Sequence, residues 1–481
     1  MRLKTIFLAA FGVLIVLPAL CVWSRPVSRR SIPAPSMAKF SAVGTIVRDK
    51  CMHCHTQDYA LPFYANIPGI KGIVERDYID GLRAMDLREE FGESVTSKPV
   101  SESTLAKMEW VMANETMPPA KFAAVHWDSR ISNRQREIIL DWVRTTRAAC
   151  YATGTASRER SNEPVQPLPE SVNIDIKKAA LGRKLFEDTR LSVDNSISCA
   201  SCHMLEKGGA DARRFSEGVG KQLGNVNSPT VFNCVFNMRQ FWDGRAADLR
   251  EQAGGPPFNP IEMSSKDWEQ IIVKLAADRA LEEDFFEVYP PLPASDDNTG
   301  GWSGTNITDA IAEYEKSLIT PNSRFDKWLR GDDKAISDKE LEGYMRFKAY
   351  RCSSCHVGKS LGGQSFEYMD LKKDYFADRG DRLPSDEGLK AFTGRQEDLH
   401  KFKVPNLRNI ELTAPYLHDG TAMTLDDAIK VMGVYLSGLE VTPGDRKLIA
   451  SFLRTLTGEY QGEKVKGDVS PQDDTDSKAD F

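Results

Sequence analysis

Cys199-Ala200-Ser201-Cys202-His203 is one of three copies of a single pattern, C-x-x-C-H, in this chain. The others are Cys51-Met52-His53-Cys54-His55 and Cys352-Ser353-Ser354-Cys355-His356. This spacing is the attachment signal for c-type haem. Two thiols three residues apart reach the two vinyl groups of one porphyrin, and the next residue turns beneath the ring so that its imidazole binds iron. A CxxC zinc site or a thioredoxin-like dithiol would leave the adjacent histidine unexplained three times over. Cys51, Cys54, Cys199, Cys202, Cys352 and Cys355 therefore read as the anchors of three covalent haem c groups, with His55, His203 and His356 as iron ligands. These motifs absorb six of nine cysteines and three of seven histidines.

Cys51 to Cys199 spans 148 residues and Cys199 to Cys352 spans 153, so each haem falls in a stretch of ordinary domain size. A hydrophobic content of 41% with 27% charged residues fits a globular chain and excludes wholesale disorder. The formal charge of −6 excludes nucleic acid as a partner, because no basic excess exists to neutralise phosphates. The polar, Pro-rich run 157–169 and the break Thr320-Pro321-Asn322-Ser323 mark boundaries. They divide the chain into cytochrome c-like haem domains over 25–163, 164–322 and 323–466, with an acidic tail, 467–481, expected to be disordered. Helical periodicity at Asn133–Arg147, Asp267–Ala277, Ile307–Leu318 and Asp426–Leu436, with few alternating runs, predicts a mainly all-α protein of three tandem modules. A Pro/Gly/Asp loop, 290–304, interrupts the second module.

Thr5 to Trp23 carries no charge and is almost wholly apolar. Nineteen residues suit a transmembrane helix better than the shorter core of a cleaved signal, and no small-x-small site closes the segment. Leu20 before Cys21 also departs from a lipoprotein signal. Residues 1–24 read as a single-pass signal anchor, with a cleaved signal peptide as the alternative. Arg2 and Lys4 on one side face Arg25, Arg29 and Arg30 on the other, so charge does not orient the helix. Haem does: bacterial c-type haems are attached outside the cytoplasmic membrane, which places the haem domains in the periplasm and the anchor in the inner membrane.

The second axial ligand decides whether an iron carries electrons or binds substrate. Met117, in Glu115-Thr116-Met117-Pro118-Pro119 and 62 residues after His55, is the candidate for the first haem. Met108 and Met112 share a helix face and read as core. His53, His126, His400 and His418 read as structural or near-propionate rather than as ligands. Cys21 reads as inert, and Cys150 and Cys234 as buried free thiols whose pairing the sequence leaves open.

From Asn162 to about Tyr460 the chain resembles the bacterial di-haem cytochrome c peroxidases. The matching stretches are Ser198 to His203, Asn227-Ser228-Pro229-Thr230-Val231-Phe232-Asn233, Gln240-Phe241-Trp242-Asp243-Gly244-Arg245-Ala246 and Asn259-Pro260-Ile261-Glu262-Met263. Phe325 to Gly331 and Leu412-Thr413-Ala414-Pro415-Tyr416-Leu417-His418-Asp419-Gly420 complete the set, in family order. With the extra N-terminal haem module and anchor, the whole chain is similar to the tri-haem branch, which includes membrane-bound quinol peroxidases. The resemblance implies that the haem on Cys199, Cys202 and His203 is peroxidatic and that the one on Cys352, Cys355 and His356 transfers electrons. It implies Met432 as the distal ligand of the latter, with Met423 a weaker competitor. Glu262 and Gln252 match the family's catalytic pair: a carboxylate can serve as base and then acid on H₂O₂, while an amide holds it by hydrogen bonds. Trp242 matches the tryptophan between the haems, and Asn227, Thr413 and Pro415 match the positions that hold a Ca²⁺.

One departure stands out. Many di-haem members carry a histidine in the loop after the peroxidatic haem that blocks its iron until reduction; here the loop reads Glu217-Gly218-Val219-Gly220-Lys221, and valine binds no iron. An open or water-occupied distal site in the oxidised protein is expected. Electrons would come from a membrane quinol or a small cytochrome c. A tryptophan-modifying enzyme of the same fold would carry Tyr at position 432, and a pure electron carrier would have no use for Glu262 and Gln252.

Overall fold

The structure is a computed structural model that describes residues 38–57, 63–91, 99–291 and 301–467. The apolar segment Thr5 to Trp23, most of the 290–304 loop and the tail beyond 467 lie outside the described residues. Among the described residues no helix is long and apolar enough to cross a membrane. The fold is mainly helical, and its strands are confined to the short antiparallel pairs Phe366–Tyr368 with Lys401–Lys403 and Glu459–Tyr460 with Glu463–Lys464 among the described residues. The chain divides into two compact units, one up to Tyr151 and one from Ala152.

The first unit gathers the helices Ala38–Lys50, Lys71–Ala84, Glu102–Ala113 and Asn133–Cys150. Ser132 starts the last of these with a capping box, its hydroxyl accepting from Gln135 N while Gln135 Oε1 accepts from Ser132 N at 3.0 Å. Ile139, Trp142 and Val143 face a core with Val43, Val47, Leu105, Met108 and Met112. The two methionines are thus core residues, as their spacing indicated. Cys150, expected to be buried, is exposed: it continues the face of 139 and 143 but is the last residue of the helix, beyond Arg147, the last buried position of that helix.

The second unit has two cores. One is built from residues 181–318 plus Leu412 and Val465; the other from residues 325–456 plus Val165. Both are closed by the same device, an intimate helix pair made possible by glycine. A Cβ on Gly182 of Ile176–Phe186 would lie 1.8 Å from Ala310 O of Gly304–Ser317. A Cβ on Gly343 of Asp338–Ala349 would lie 2.0 Å from Leu448 O of Pro443–Leu453. Any side chain at either position would force the helices apart.

The run 157–169 lies inside this unit as a strap on the second core. Ser157 N donates to Leu329 O at 2.9 Å, Arg160 lies 4.0 Å over the Trp328 ring, and Val165 bridges Gly358. Arg408 and Asp326, both fully buried and paired at 2.9 Å, pin the strap through Gln166 O and Leu168 N. Of the expected helices, Asp426–Leu436 is regular only over Leu425–Val431 and continues as a π-helix, Met432–Ser437. Such wide turns occur often at functional positions, and this one begins at Met432.

Candidate functional site

All three C-x-x-C-H motifs form one and the same helical turn. The histidine N–H donates to the carbonyl of the first cysteine at 3.2 Å for His55 to Cys51 and 3.0 Å for both His203 to Cys199 and His356 to Cys352. That turn brings the residues at i, i+3 and i+4 to one side. None of the eight described cysteines forms a disulfide. His55 Nδ1 lies 2.9 Å from Met85 O, and His356 Nδ1 2.9 Å from Leu361 O. A carbonyl can only accept, so the proton sits on Nδ1 and the Nε2 lone pair is left for a metal. His203 Nδ1 is buried beside the carbonyls of Gly209 and Pro229, outside hydrogen-bond geometry. Burial lowers the pKa of all three imidazoles, favouring the neutral, ligating form. The residues fit covalent haem, with Nε2 of each histidine as the iron ligand.

Burial raises the Cys199 and Cys202 thiols, and the Glu262 carboxylate adds a smaller push in the same direction, which places it near both. It ends a turn that opens at Asn259, whose Nδ2 donates to Glu262 Oε1 at 2.6 Å while Glu262 N donates to Asn259 O at 3.0 Å. Burial pushes the Glu262 carboxyl above the ordinary glutamate range, against the opposing pull of Asn259 and Arg245. The Val219 loop is laid on the same turn: Val219 N donates to Glu262 O at 2.8 Å, and a Cβ on Gly218 would lie 2.2 Å from Ile261 O. Gln252 is half-buried near the end of the short helix Leu249–Ala253, and no hydrogen bond engages its side-chain amide among the described residues.

Trp242 and Met432 pack against one apolar cluster, Met369, Tyr375, Phe376 and Phe402, which lies apart from both module cores. The Trp242 indole N–H donates to Asn227 O at 2.8 Å, and Trp242 O accepts from Lys403 N at 2.8 Å. Asn227 N donates to His418 O at 2.8 Å, which sets Asn227 against the turn that carries Thr413 and Pro415. Asn227 Nδ2 is committed to Arg213 O at 2.9 Å, so its Oδ1 is the side-chain atom left to meet a cation. Met117 is half-buried on the loop between Glu102–Ala113 and Ala120–Val125. Met423 is 58% exposed, a poor place for a ligand.

The remaining histidines have protein partners. His126 meets Tyr64 OH at 2.6 Å and stacks on Phe122, His400 meets Asp370 at 2.9 Å, and His418 meets Asp386 at 2.9 Å. Cys234 is buried. Sequence reasoning missed Asn259 and the Arg379–Asp386–Asp419 cluster behind His418. The Asn-Pro turn signal at 259–260 could have found the first, whereas nothing local announces the second.

These features define a c-type haem protein with a partly buried carboxyl near one of its haem-attachment sites. The family profile for a haem-binding domain matches residues 23–145, and that for di-haem cytochrome c peroxidase matches residues 176–334. The cytochrome c peroxidase Ccp of Escherichia coli is 47% identical over 430 residues, covering 89% of this chain and 90% of that protein. The cytochrome c551 peroxidase of Nitrosomonas europaea is 43% identical over 305 residues, covering 63% of this chain and 87% of its own. Among solved structures, a MauG-like protein associated with microbial copper homeostasis is 26% identical with a TM-score of 0.53, covering 61% of this chain and 93% of its own. The chain belongs to the di-haem cytochrome c peroxidase family and is a haem peroxidase.

Proposed function

We propose that the chain is a tri-haem peroxidase that reduces H₂O₂ to water at the site on Cys199, Cys202 and His203. The observation that carries this reading is Glu262, a partly buried carboxyl of raised pKa beside that attachment site and held by Asn259. The overall reaction takes two electrons and two protons per H₂O₂ and yields two waters. Haem held by Cys199, Cys202 and His203 would supply the electrons and a binding position for peroxide. Glu262 takes the proton from one peroxide oxygen and returns it to the other, which then leaves as water. Gln252 holds the peroxide by hydrogen bonds without competing for that proton. Asn259 orients the carboxyl, and Val219 leaves the distal side without a protein ligand.

Cys51, Cys54 and His55, with Met117 as a second ligand, would hold an N-terminal haem, which would supply the entry point for electrons. Cys352, Cys355, His356 and Met432 would hold the electron-transfer haem, and Trp242 would relay its electrons toward the site on Cys199, Cys202 and His203. The apolar cluster shared by Trp242 and Met432 supports the last of these transfers, from Met432's haem site to Trp242. Asn227 Oδ1 and the carbonyls of Thr413 and Pro415 would hold a Ca²⁺, since hard oxygens suit that ion. The relative from Escherichia coli supports a working N-terminal unit, because its 430-residue match exceeds the 330 residues of the second unit (481 − 151). The apolar segment 5–23 anchors the chain in the inner membrane with its haem domains in the periplasm. That position favours a quinol donor, with a small cytochrome c as the alternative.

The test is H₂O₂-dependent oxidation of a quinol and of a reduced small cytochrome c by the full-length holoprotein. Turnover with quinol supports the whole proposal. Turnover with cytochrome c alone leaves the peroxidase and removes the quinol, and turnover with neither refutes it.

A further inference from the structure

His418 sits at the centre of a polar network that the reaction as described does not use. Its Nε2 donates to Asp386 Oδ1 at 2.9 Å, and its ring stacks on Phe402 with centroids 4.2 Å apart. Its edge meets the Trp242 ring at 6.4 Å and 69°. Asp386 is held in turn by Arg379 through both guanidinium nitrogens and by Leu383 N at 2.7 Å. Arg379 also reaches Asp419 at 2.5 Å, and Asp419 is tied to Tyr375 OH at 2.8 Å and to Thr421. His418, Asp386 and Asp419 are all buried. The backbone closes the loop: His418 O accepts from Asn227 N, and Asn227 O accepts from the Trp242 indole. One face contact and one hydrogen bond, both traced back to residue 418, therefore fix the tilt and position of the indole.

We propose that His418, locked by Asp386 and Arg379, is a positioning residue that holds Trp242 in the orientation for electron transfer between the haems. The inference rests on the reading of Trp242 as the inter-haem relay. The step it serves moves one electron from the haem on Cys352 and Cys355 to that on Cys199 and Cys202, with no bond made or broken. An edge-to-face aromatic pair adds a modest preference for one geometry, and Asp386 denies the imidazole other rotamers.

The experiment is fast one-electron reduction of the oxidised full-length holoprotein, following inter-haem transfer by haem absorbance. His418→Gln keeps a donor toward Asp386 but removes the ring; Asp386→Asn keeps the ring but removes the carboxylate that locks it. Both are expected to slow transfer about three- to tenfold, with haem content and reduction potentials unchanged. In the double variant with Trp242→Phe, the rate should equal that of Trp242→Phe alone, which residues acting only on stability would not produce. Wild-type rates in both single variants beside a slow Trp242→Phe overturn the positioning role. A wild-type rate in Trp242→Phe overturns instead the relay reading beneath it. Should His418→Gln fail to assemble, Asp386→Asn carries the same test.

Discussion

Replacing Glu262 with Gln isolates the proton chemistry from everything else the side chain does. Glutamine keeps the volume, and its Oε1 still accepts from Asn259 Nδ2, the 2.6 Å contact that orients the carboxyl. The backbone bonds to Asn259 and Val219 are untouched. What disappears is a titratable oxygen, and a positioned general acid–base is worth about 10²- to 10⁴-fold in rate. That range corresponds to about 2.7–5.5 kcal/mol of transition-state stabilisation. Because the group acts on bound peroxide, the loss should fall on kcat more than on KM. The pH profile adds a second signature. A base works only when ionised, and burial raises this carboxyl above the usual 4.5, so wild-type activity should fall as pH drops through a value above 4.5. In the variant that acid limb should vanish. Steady-state peroxidase assays across pH, on protein shown by haem stain and absorbance to carry its full haem complement, decide the matter. A variant within about threefold of wild type, or one that keeps the acid limb, refutes a catalytic Glu262.

Four further outcomes are expected. The oxidised protein should show a high-spin haem and turn over without prior reduction; Val219→His should convert that haem to low spin and introduce a lag, and a wholly low-spin oxidised wild type would refute the open site. Glu315 is buried with Oε2 unpartnered, and burial raises its pKa to about 8. A raised folded-state pKa means stability fully present below about 4.5 and lost as pH rises through about 8, so Glu315→Gln should match wild type at low pH and exceed it at pH 8 by a few kcal/mol in urea titrations. Arg408→Met should cost about 3–5 kcal/mol by leaving Asp326 buried without its cation, read as a lowered urea midpoint at unchanged slope. Equilibrium dialysis should find one Ca²⁺ per chain in the wild type, lost in Asn227→Ala, since Oδ1 is the atom offered to the ion.

The legible parts of this molecule are those whose constraint is local. C-x-x-C-H is a covalent requirement within five residues, so the three attachment turns were readable outright. The helices at Asn133–Arg147 and Asp267–Ala277 were readable from local periodicity, and the structure starts them at Asn133 and Trp268, behind the caps Ser132 and Asp267. The exposure of Cys150 was not, since its phase matches the buried positions 139 and 143 and only its place at the last residue of the helix leaves it uncovered. The strap character of 157–169 was also hidden: Pro and charge read as a boundary, yet Arg160 finds Trp328 and Leu168 finds Asp326 more than 150 residues away. Around the site, Glu262 was found by resemblance, and its partner Asn259 lay three residues upstream in plain sight. The network behind His418 draws on Arg379, Asp386 and Asp419, which no spacing rule connects.

Val219 shows how a missing ligand can be read both ways at once. Removing a histidine from that loop would by itself leave the loop free to wander, and a wandering loop would let water and the acid–base residue move together. The structure instead ties Val219 N to Glu262 O and seats Gly218 where no Cβ would fit against Ile261 and Glu262. The loop is thus fixed by its backbone to the turn that carries the carboxyl, without any bond to iron. Under the proposed mechanism, a loop that swung out to uncover iron would displace the turn that carries the Glu262 carboxyl. A chain with valine there would escape that conflict, and Glu262 could be held in one geometry through the proposed cycle.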